Sequence, residues 1–203
     1  RNFIMKEEKK ATRQSYGETL EKLGEKYEDI VVLDADLATA TKTINFEKKF
    51  PERFFDMGIA EANMMSTAAG IATTGKVPFA STFAVFAAGR SYDQIRNSIC
   101  YPKLNVKICS THAGITVGED GATHQMLEDI SMMRTLPNMK VLSPADDIET
   151  KWAIEEAYKQ KGPVYVRLSR LATPIIYDEN QEFEFGKMIQ FGSGTDATIF
   201  ASR

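Results

Sequence analysis

The stretch "RFFDMGIAEANMMSTAAGIATTGKVPFASTF", residues 53–83, contains a complete strand–helix–strand pattern. The short apolar runs at its two ends, RFFDMG and VPFASTF, each predict a buried strand. The segment between them is rich in small residues and ends at Gly75, a residue typical of helix C-termini. Strands that alternate with helices in this way indicate βαβ units and a mainly parallel sheet.

The same alternation extends to both sides of this stretch. Further strands are predicted at residues 29–36, 105–111, 139–144 and 162–170. Further helices are predicted at residues 12–27, 91–100 and 125–136, and a fourth ends near Tyr158. Asp146 and Glu149 form a capping-box pattern at the start of that fourth helix. We therefore expect an α/β protein with three layers, helices covering both faces of the sheet.

Ligands of such folds bind beyond the carboxyl ends of the strands, an edge of the sheet called here the carboxyl edge. Several segments with chemically useful side chains follow predicted strand ends. They are Asp36 and residues 58–61, 82–86, 110–125 and 169–170. The sequence therefore predicts one functional site at this edge.

Composition indicates a globular protein with an ordinary core. The chain has 203 residues, of which 43% are hydrophobic and 26% charged, with a formal net charge of −3. That charge gives no support to nucleic-acid binding, which needs a basic surface. Cys100 and Cys109 lie in apolar surroundings and predict buried, reduced thiols without metal-ligand spacing. With no apolar run near the roughly 18 residues of a membrane span and no signal-peptide pattern, we expect a cytoplasmic protein.

The C-terminal residues suggest a division of the chain. Residues 197–201 predict the beginning of a buried strand, and the polar segment 192–196 before them contains glycine. We expect one domain over residues 1–192 and the start of a second, truncated domain over residues 193–203.

Both histidines of the chain lie in "STHAGITVGEDGATHQ", residues 110–125, called here the two-histidine loop. Histidine changes its charge near neutral pH, so His112 and His124 suit proton transfer or hydrogen bonding to a polar substrate. Two alternatives remain: both are satisfied loop histidines, or they bind a metal with Glu119 and Asp120. The spacing matches no closed metal-ligand set.

Three other features have a functional and a structural interpretation. Glu61 is a candidate acid, although the pattern alone favours an acidic residue in a first helical turn. Phe83 and Phe86, three residues apart, form an aromatic wall for a flat ring or belong to the core. Arg167 and Arg170 bind a phosphate or carboxylate, or they make surface ion pairs.

The order and spacing of these residues resemble a known family. THAGITVGEDGATHQ resembles the TH-D-S-I-G-x-G-E-D-G-P-T-H-Q motif of transketolases without a gap. GIAEA resembles the family signature G-I-x-E, and ADL at residues 35–37 and LSR at residues 168–170 follow in family order. The resemblance covers roughly residues 11–202 and is to the pyrimidine-binding domain of transketolase-like thiamine diphosphate enzymes. It implies the thiamine diphosphate-binding fold.

The resemblance also implies a cofactor site. Glu61 matches the glutamate that hydrogen-bonds the cofactor pyrimidine and promotes its imino form, from which the thiazolium carbon loses its proton. Phe83 and Phe86 match the aromatic residues that stack on the pyrimidine, and Asp36 matches an acidic residue near the cofactor. Mg²⁺ and the diphosphate are expected on a partner subunit or domain, because the GDG stretch and downstream asparagine of that site are missing here.

On the substrate side, the resemblance implies that His112 and His124 are catalytic and contact the sugar. Asp120 matches the acid that selects hydroxyl stereochemistry, and Arg170 matches the arginine that binds the substrate phosphate. The implied reaction moves a two-carbon ketol unit from a ketose phosphate to an aldose phosphate, as in the pentose phosphate pathway.

The resemblance is to one subunit of a two-subunit transketolase. It implies a homodimer or a heterotetramer with a diphosphate-binding subunit, and a chain that is inactive alone. The motifs depart from the family at Ala113, Gly114 and Ala122 of the two-histidine loop, and at Gly89 and Ala40. The segment SYDQIR looks more like deoxyxylulose-phosphate synthase, which is one alternative hypothesis. A 2-oxo-acid dehydrogenase beta subunit and a non-catalytic scaffold are two others.

Overall fold

The computed structural model describes residues 8–202 and has a six-stranded parallel sheet at its centre. The strands, in chain order, are β1 (Lys9–Ala11), β2 (Ile30–Asp34), β3 (Phe54–Asp56), β4 (Val77–Phe83), β5 (Lys107–Thr111), β6 (Lys140–Leu142), β7 (Val164–Arg167) and β8 (Ala172–Pro174). Their order across the sheet is β3-β2-β4-β5-β7-β6, and each neighbouring pair is parallel. Strands β1 and β8 form a separate antiparallel pair.

Helices cover both faces of the sheet. They are α1 (Thr12–Lys26), α2 (Ala38–Thr41), α3 (Ile44–Lys49), α4 (Glu61–Thr73), α5 (Tyr92–Gln94), α6 (Asp129–Arg134) and α7 (Asp147–Lys159). Two π-helical segments, Val85–Arg90 and Ile95–Cys100, flank α5. The strands and helices predicted between residues 12 and 170 are confirmed, although several are shorter than the patterns indicated.

The core consists of two apolar clusters, one on each face of the sheet. Val31 and Leu33 of β2 pack in the cluster that contains α4 and α6. Ile30 and Val32, which alternate with them, pack in the cluster that contains α1, α3 and α7. Because successive strand residues point to opposite faces, this division confirms the predicted three-layer α/β/α fold.

The loop after β2 is fixed by a buried carboxylate. Asp34 is fully buried and accepts hydrogen bonds from the hydroxyls of Thr41 and Thr43 and from the backbone N–H of Leu37. Burial raises the pKa of Asp34 to about 6, although these hydrogen bonds oppose the rise. The contacts hold the loop that carries Asp36 at the carboxyl edge.

Gly17 of α1 allows that loop to approach the helix. A Cβ at Gly17 would lie 2.5 Å from the carbonyl oxygen of Lys42, closer than side-chain carbons come to backbone. Lys42 itself has a left-handed backbone with φ of 75°. Glycine at position 17 is therefore a packing requirement.

Two predictions from the sequence need correction. Residues 197–201 form no strand, and Ile199 and Phe200 are 90% and 76% exposed. The strand prediction is wrong because, among residues 8–202, no neighbouring strand pairs with this segment. The capping box is only half formed: Asp146 accepts from the N–H of Glu149, but the Glu149 carboxylate accepts from Ala145, one residue before the cap.

Other predictions about the chain are tested by burial. Cys100 and Cys109 are buried free thiols, as predicted. None of the helices described is both long and apolar enough to cross a bilayer. Every residue from 191 to 202 is exposed. Phe191, the first of them, stacks on the buried ring of Tyr177. The ends of the expected domain spans, residues 1–7 and residue 203, lie outside the described residues.

Candidate active site

The predicted segments meet at the carboxyl edge. Strand register pairs Phe83, the last residue of β4, with Thr111, the last residue of β5. The next residue, His112, stacks on Phe83 with ring centroids 3.7 Å apart and planes 23° from parallel. The parallel sheet therefore places the aromatic pair and the two-histidine loop side by side.

Phe83 and Phe86 form a continuous aromatic wall. Their ring centroids lie 5.8 Å apart and their planes differ by 10°. His124 meets both rings edge-on, at 5.5 Å from Phe86 and 6.3 Å from Phe83. Phe83 is buried and Phe86 is half-buried, so part of the Phe86 ring remains open to solvent. The two phenyl rings and both imidazoles therefore form one cluster of ring contacts at the carboxyl edge.

His112 is buried in this cluster and is held neutral. It is 2% exposed, has a left-handed backbone with φ of 58°, and its Nδ1 lies 2.9 Å from the Thr111 hydroxyl. Burial, together with the guanidiniums of Arg13 and Arg170, lowers the pKa of His112 to about 4, although Asp120 opposes the fall. A neutral imidazole offers a hydrogen-bond donor on one nitrogen and an acceptor on the other.

We expect this burial to appear in the pH dependence of stability. The unfolded chain takes up a proton on His112 below its usual pKa of 6.5, whereas the folded chain resists protonation until about pH 4. The contribution of His112 to the free energy of unfolding should therefore be highest above pH 6.5 and fall as the pH drops from 6.5 to 4. Urea unfolding measures this for the wild type and for His112→Gln across the range. The difference between their free energies of unfolding should shrink as the pH falls. Parallel curves would contradict the assignment.

The two-histidine loop rests on β7 and the residues after it. The backbone N–H of Ala113 donates to the carbonyl of Leu168, and Gly114 pairs with Met126. Gly114 has φ of 79°, and a Cβ there would lie 3.2 Å from Nη2 of Arg167. Gly114 therefore lets the loop pack on Arg167.

Arg167 and Arg170 have different roles. Arg167 is partly buried and makes an ion pair with fully buried Asp129, with its Nε 2.8 Å from Oδ2. The guanidinium of Arg170 binds both carboxylate oxygens of Glu119, at 2.7 and 3.1 Å, and the carbonyl of Val117. Arg170 lowers the pKa of Glu119 to about 2. Of the two arginines, Arg170 thus faces the loop's acidic residues at the carboxyl edge.

Glu61 is buried, which a helix-capping role does not require. It begins α4 but is only 2% exposed. Nη1 of Arg90 lies 3.0 and 2.9 Å from its two carboxylate oxygens. The same guanidinium lies 4.4 Å above the Phe86 ring. Glu61 is therefore connected to the aromatic wall through Arg90.

Asp36 lies at the same edge, after β2. Its backbone has φ of 61°, and its N–H donates to Oδ1 of Asp56, which also accepts from Gly58. Asp56 thus joins the Asp36 loop to the segment that leads into Glu61. The Asp36 side chain is exposed.

Arg13 was missed by the sequence interpretation. It lies in the first turn of α1, and its Nη1 donates to the carbonyl of Ala40 at 2.8 Å. Its Nε is buried and has no hydrogen-bond partner among the described residues. Burial lowers the pKa of Arg13, as does the charge of Arg170, while Asp120 opposes them. The sequence did contain one signal for Arg13. It is a positively charged residue in the first turn of a predicted helix, where the helix dipole disfavours positive charge.

The remaining interpretation of the loop is a metal site. Within residues 8–202, no three His, Cys, Asp or Glu side chains are grouped so that they could hold a metal ion. The edge instead combines an aromatic wall, neutral His112, buried Glu61 and the guanidiniums of Arg13 and Arg170. This set is suited to a planar nitrogen heterocycle next to a polar, anionic substrate.

Comparison with known proteins identifies similar chains. The family described as transketolase, pyrimidine-binding domain, matches residues 8–175. The chain is 57% identical over 195 residues to the putative transketolase C-terminal section of Methanocaldococcus jannaschii, covering 95% of this chain and 62% of that protein. It is 41% identical over 181 residues to transketolase of Homo sapiens, covering 89% of this chain and 29% of that protein.

A solved structure agrees with these matches. The structure titled "Split gene transketolase, inactive beta4 tetramer" matches with a TM-score of 0.78 and 56% identity, covering 87% of this chain and 57% of that one. The chain thus spans less than two thirds of the length of these relatives.

Proposed function

Since the chain belongs to the transketolase family as a pyrimidine-binding domain, we propose that it forms this half of a thiamine diphosphate-dependent transketolase. The proposed reaction transfers a two-carbon ketol unit from a ketose phosphate to an aldose phosphate. One observation carries the proposal: both histidines contact one aromatic wall at the carboxyl edge, and buried Glu61 is connected to the same wall through Arg90.

The residues fit the cofactor pyrimidine. The planar guanidinium of Arg90 already lies over Phe86 and donates to Glu61. An aminopyrimidine has a comparable flat face and N–H edge. A Cβ at Gly89, which stands where many transketolases have a third aromatic residue, would meet no atom within 4 Å, so the space there is open. When bound, thiamine diphosphate supplies the electron sink for the two-carbon unit.

Glu61 and the histidines would handle protons. We assign Glu61 to hold the pyrimidine ring and to share a proton with its nitrogen, because a buried carboxyl needs such a partner. His112, neutral at pH 7, would donate or accept a hydrogen bond at a sugar hydroxyl, and His124 would do so from the outer side of the wall. Asp120 remains the proposed selector of hydroxyl stereochemistry, and Asp36 remains the proposed acid near the cofactor.

Arg13 and Arg170 would form the site for the substrate phosphate. The charges of Arg13 and Arg170 both lower the pKa of His112, and the charge of Arg170 lowers the pKa of Arg13, which supports one shared region of the edge. Nε of Arg13, which has no hydrogen-bond partner within residues 8–202, leaves a donor for a phosphate, and Arg170 can exchange the exposed carboxylate of Glu119 for a phosphate.

We expect Arg13→Ala to raise KM for an aldose phosphate about 10- to 100-fold, since a charge-assisted hydrogen bond is worth about 1.5–3 kcal/mol. Steady-state kinetics with the phosphorylated aldose and with its unphosphorylated counterpart measure the effect. The loss should be confined to the phosphorylated aldose. Arg134→Ala, an exposed arginine at the end of α6, serves as the control. An equal loss with both acceptors would contradict phosphate binding by Arg13.

The proposal includes a partner. A diphosphate-binding subunit would hold the diphosphate and Mg²⁺, in a homodimer or heterotetramer, and the chain alone would be inactive. Ile59, Ile115 and Leu127 support such an interface, because they are 77%, 64% and 62% exposed in segments at the carboxyl edge. The two buried free thiols favour a reducing compartment, and we place the reaction in the cytoplasm and in the pentose phosphate pathway.

One experiment tests the function directly. The chain is mixed with its diphosphate-binding subunit, thiamine diphosphate and Mg²⁺, and ketol transfer between sugar phosphates is assayed beside turnover of pyruvate. We expect ketol transfer by the mixture and none by this chain alone. Activity only with pyruvate would reject transketolase in favour of a synthase or 2-oxo-acid dehydrogenase. Absence of both activities would favour a scaffold.

A further inference from the structure

We infer that Arg90 occupies the position of the pyrimidine ring when the cofactor is absent, and that the cofactor binds by displacing it. This inference rests on the proposed function, because it assumes that the ring stacks on Phe86 and contacts Glu61. Arg90 would then determine how tightly the assembled enzyme binds its cofactor.

The geometry of Arg90 reproduces both contacts expected of the ring. Its guanidinium carbon lies 4.4 Å from the centroid of Phe86, which is stacking distance for a planar cation. Its Nη1 lies 2.9 and 3.0 Å from the two carboxylate oxygens of Glu61. A planar group with N–H donors on one edge and an aromatic ring against its face therefore already fills this position.

The two partners differ in their freedom to move. The side chain of Arg90 is 51% exposed, whereas that of Glu61 is 2% exposed. Arg90 also follows Gly89, around which there is open space, at the end of a π-helical segment. Arg90 can therefore leave for solvent while Glu61 stays. The buried carboxylate exchanges one donor for another and is not left without a partner.

Displacement lowers the apparent affinity for the cofactor. When a site is open in only a fraction of the molecules, the apparent Kd rises by the inverse of that fraction. If the hydrogen-bonded pair of Arg90 and Glu61 stabilises the closed position by about 1.4 kcal/mol, the apparent Kd for the cofactor rises tenfold. Removing Arg90 should therefore tighten cofactor binding by about tenfold.

The test is cofactor binding by the assembled complex with its diphosphate-binding subunit. Thiamine diphosphate is titrated at saturating Mg²⁺ and followed by calorimetry, for the wild type, Arg90→Ala and Arg90→Gln. We expect Kd to fall about tenfold for Arg90→Ala and less for Arg90→Gln, whose amide still offers Glu61 a donor. Arg96→Ala, an exposed arginine of the neighbouring π-helical segment, should bind like the wild type.

A double-mutant cycle separates displacement from general loosening of the fold. In a Glu61→Gln background the ion pair is gone, so Arg90→Ala should give little further gain. Unchanged or weaker binding by both Arg90 variants, or the same gain in the Glu61→Gln background, would overturn the inference. If one of these results is found but the wild type still binds the cofactor tightly, only the role of Arg90 is rejected and the proposed function stands. No cofactor binding by the wild type would overturn both.

Discussion

Glu61→Gln is expected to lower the kcat of ketol transfer by the assembled enzyme about 10²- to 10⁴-fold, the usual contribution of a positioned acid or base. Glutamine keeps the length and planarity of the side chain and still makes hydrogen bonds. It lacks the carboxyl group that can share a proton with the pyrimidine nitrogen. Since Glu61 is 2% exposed, no water molecule has easy access to replace that function. Steady-state rates at saturating sugar phosphates and cofactor measure the loss.

Two comparisons make this result specific. Glu155→Gln, an exposed glutamate of α7, should leave the rate unchanged. The melting midpoint of Glu61→Gln should stay near that of the wild type, because its partner Arg90 is half exposed and can turn to water. If turnover by Glu61→Gln matches the wild type, Glu61 has no catalytic role and the non-catalytic scaffold becomes the better hypothesis.

The fold was predictable wherever strands are buried on both faces. VPFASTF, residues 77–83, predicted the strand that the structure shows at Val77–Phe83, because a central parallel strand is apolar along its whole length. The pairing of Lys9–Ala11 with Ala172–Pro174 was missed, since three-residue strands about 160 residues apart carry no local signal. Residues 197–201 have comparable composition but, among the described residues, no partner strand.

The place of the site was predictable, but its polar contacts were not. Parallel topology alone puts Phe83 beside His112, because the ends of neighbouring strands adjoin. The pair Arg90–Glu61 depends on how a π-helical turn directs one side chain toward another 29 residues away, and sequence patterns do not encode this. Likewise the sequence marked Gly114 as part of a glycine-rich loop but did not show that it packs on an arginine.

Arg167→Ala is expected to lower the free energy of unfolding by about 3–5 kcal/mol, as when one partner of a buried ion pair is removed. Asp129 is fully buried, and its Oδ2 accepts hydrogen bonds from Arg167 and from the hydroxyl of Tyr165, at 2.8 and 3.0 Å. Its Oδ1 has no hydrogen-bond partner among the described residues. Without Arg167 the carboxylate would keep only the neutral tyrosine hydroxyl. Urea unfolding measures the change.

The control and the rescue for this prediction lie in the same region. Arg134→Ala removes an exposed arginine from α6 and should change stability little. The double substitution Arg167→Met with Asp129→Leu removes both charges and should recover much of the loss, because a buried pair can be replaced by apolar packing. Since Gly114 packs against Arg167, Arg167→Ala should also loosen the two-histidine loop and raise KM for the sugar. An unfolding curve that matches the wild type would show that the pair with Asp129 does not stabilise this edge.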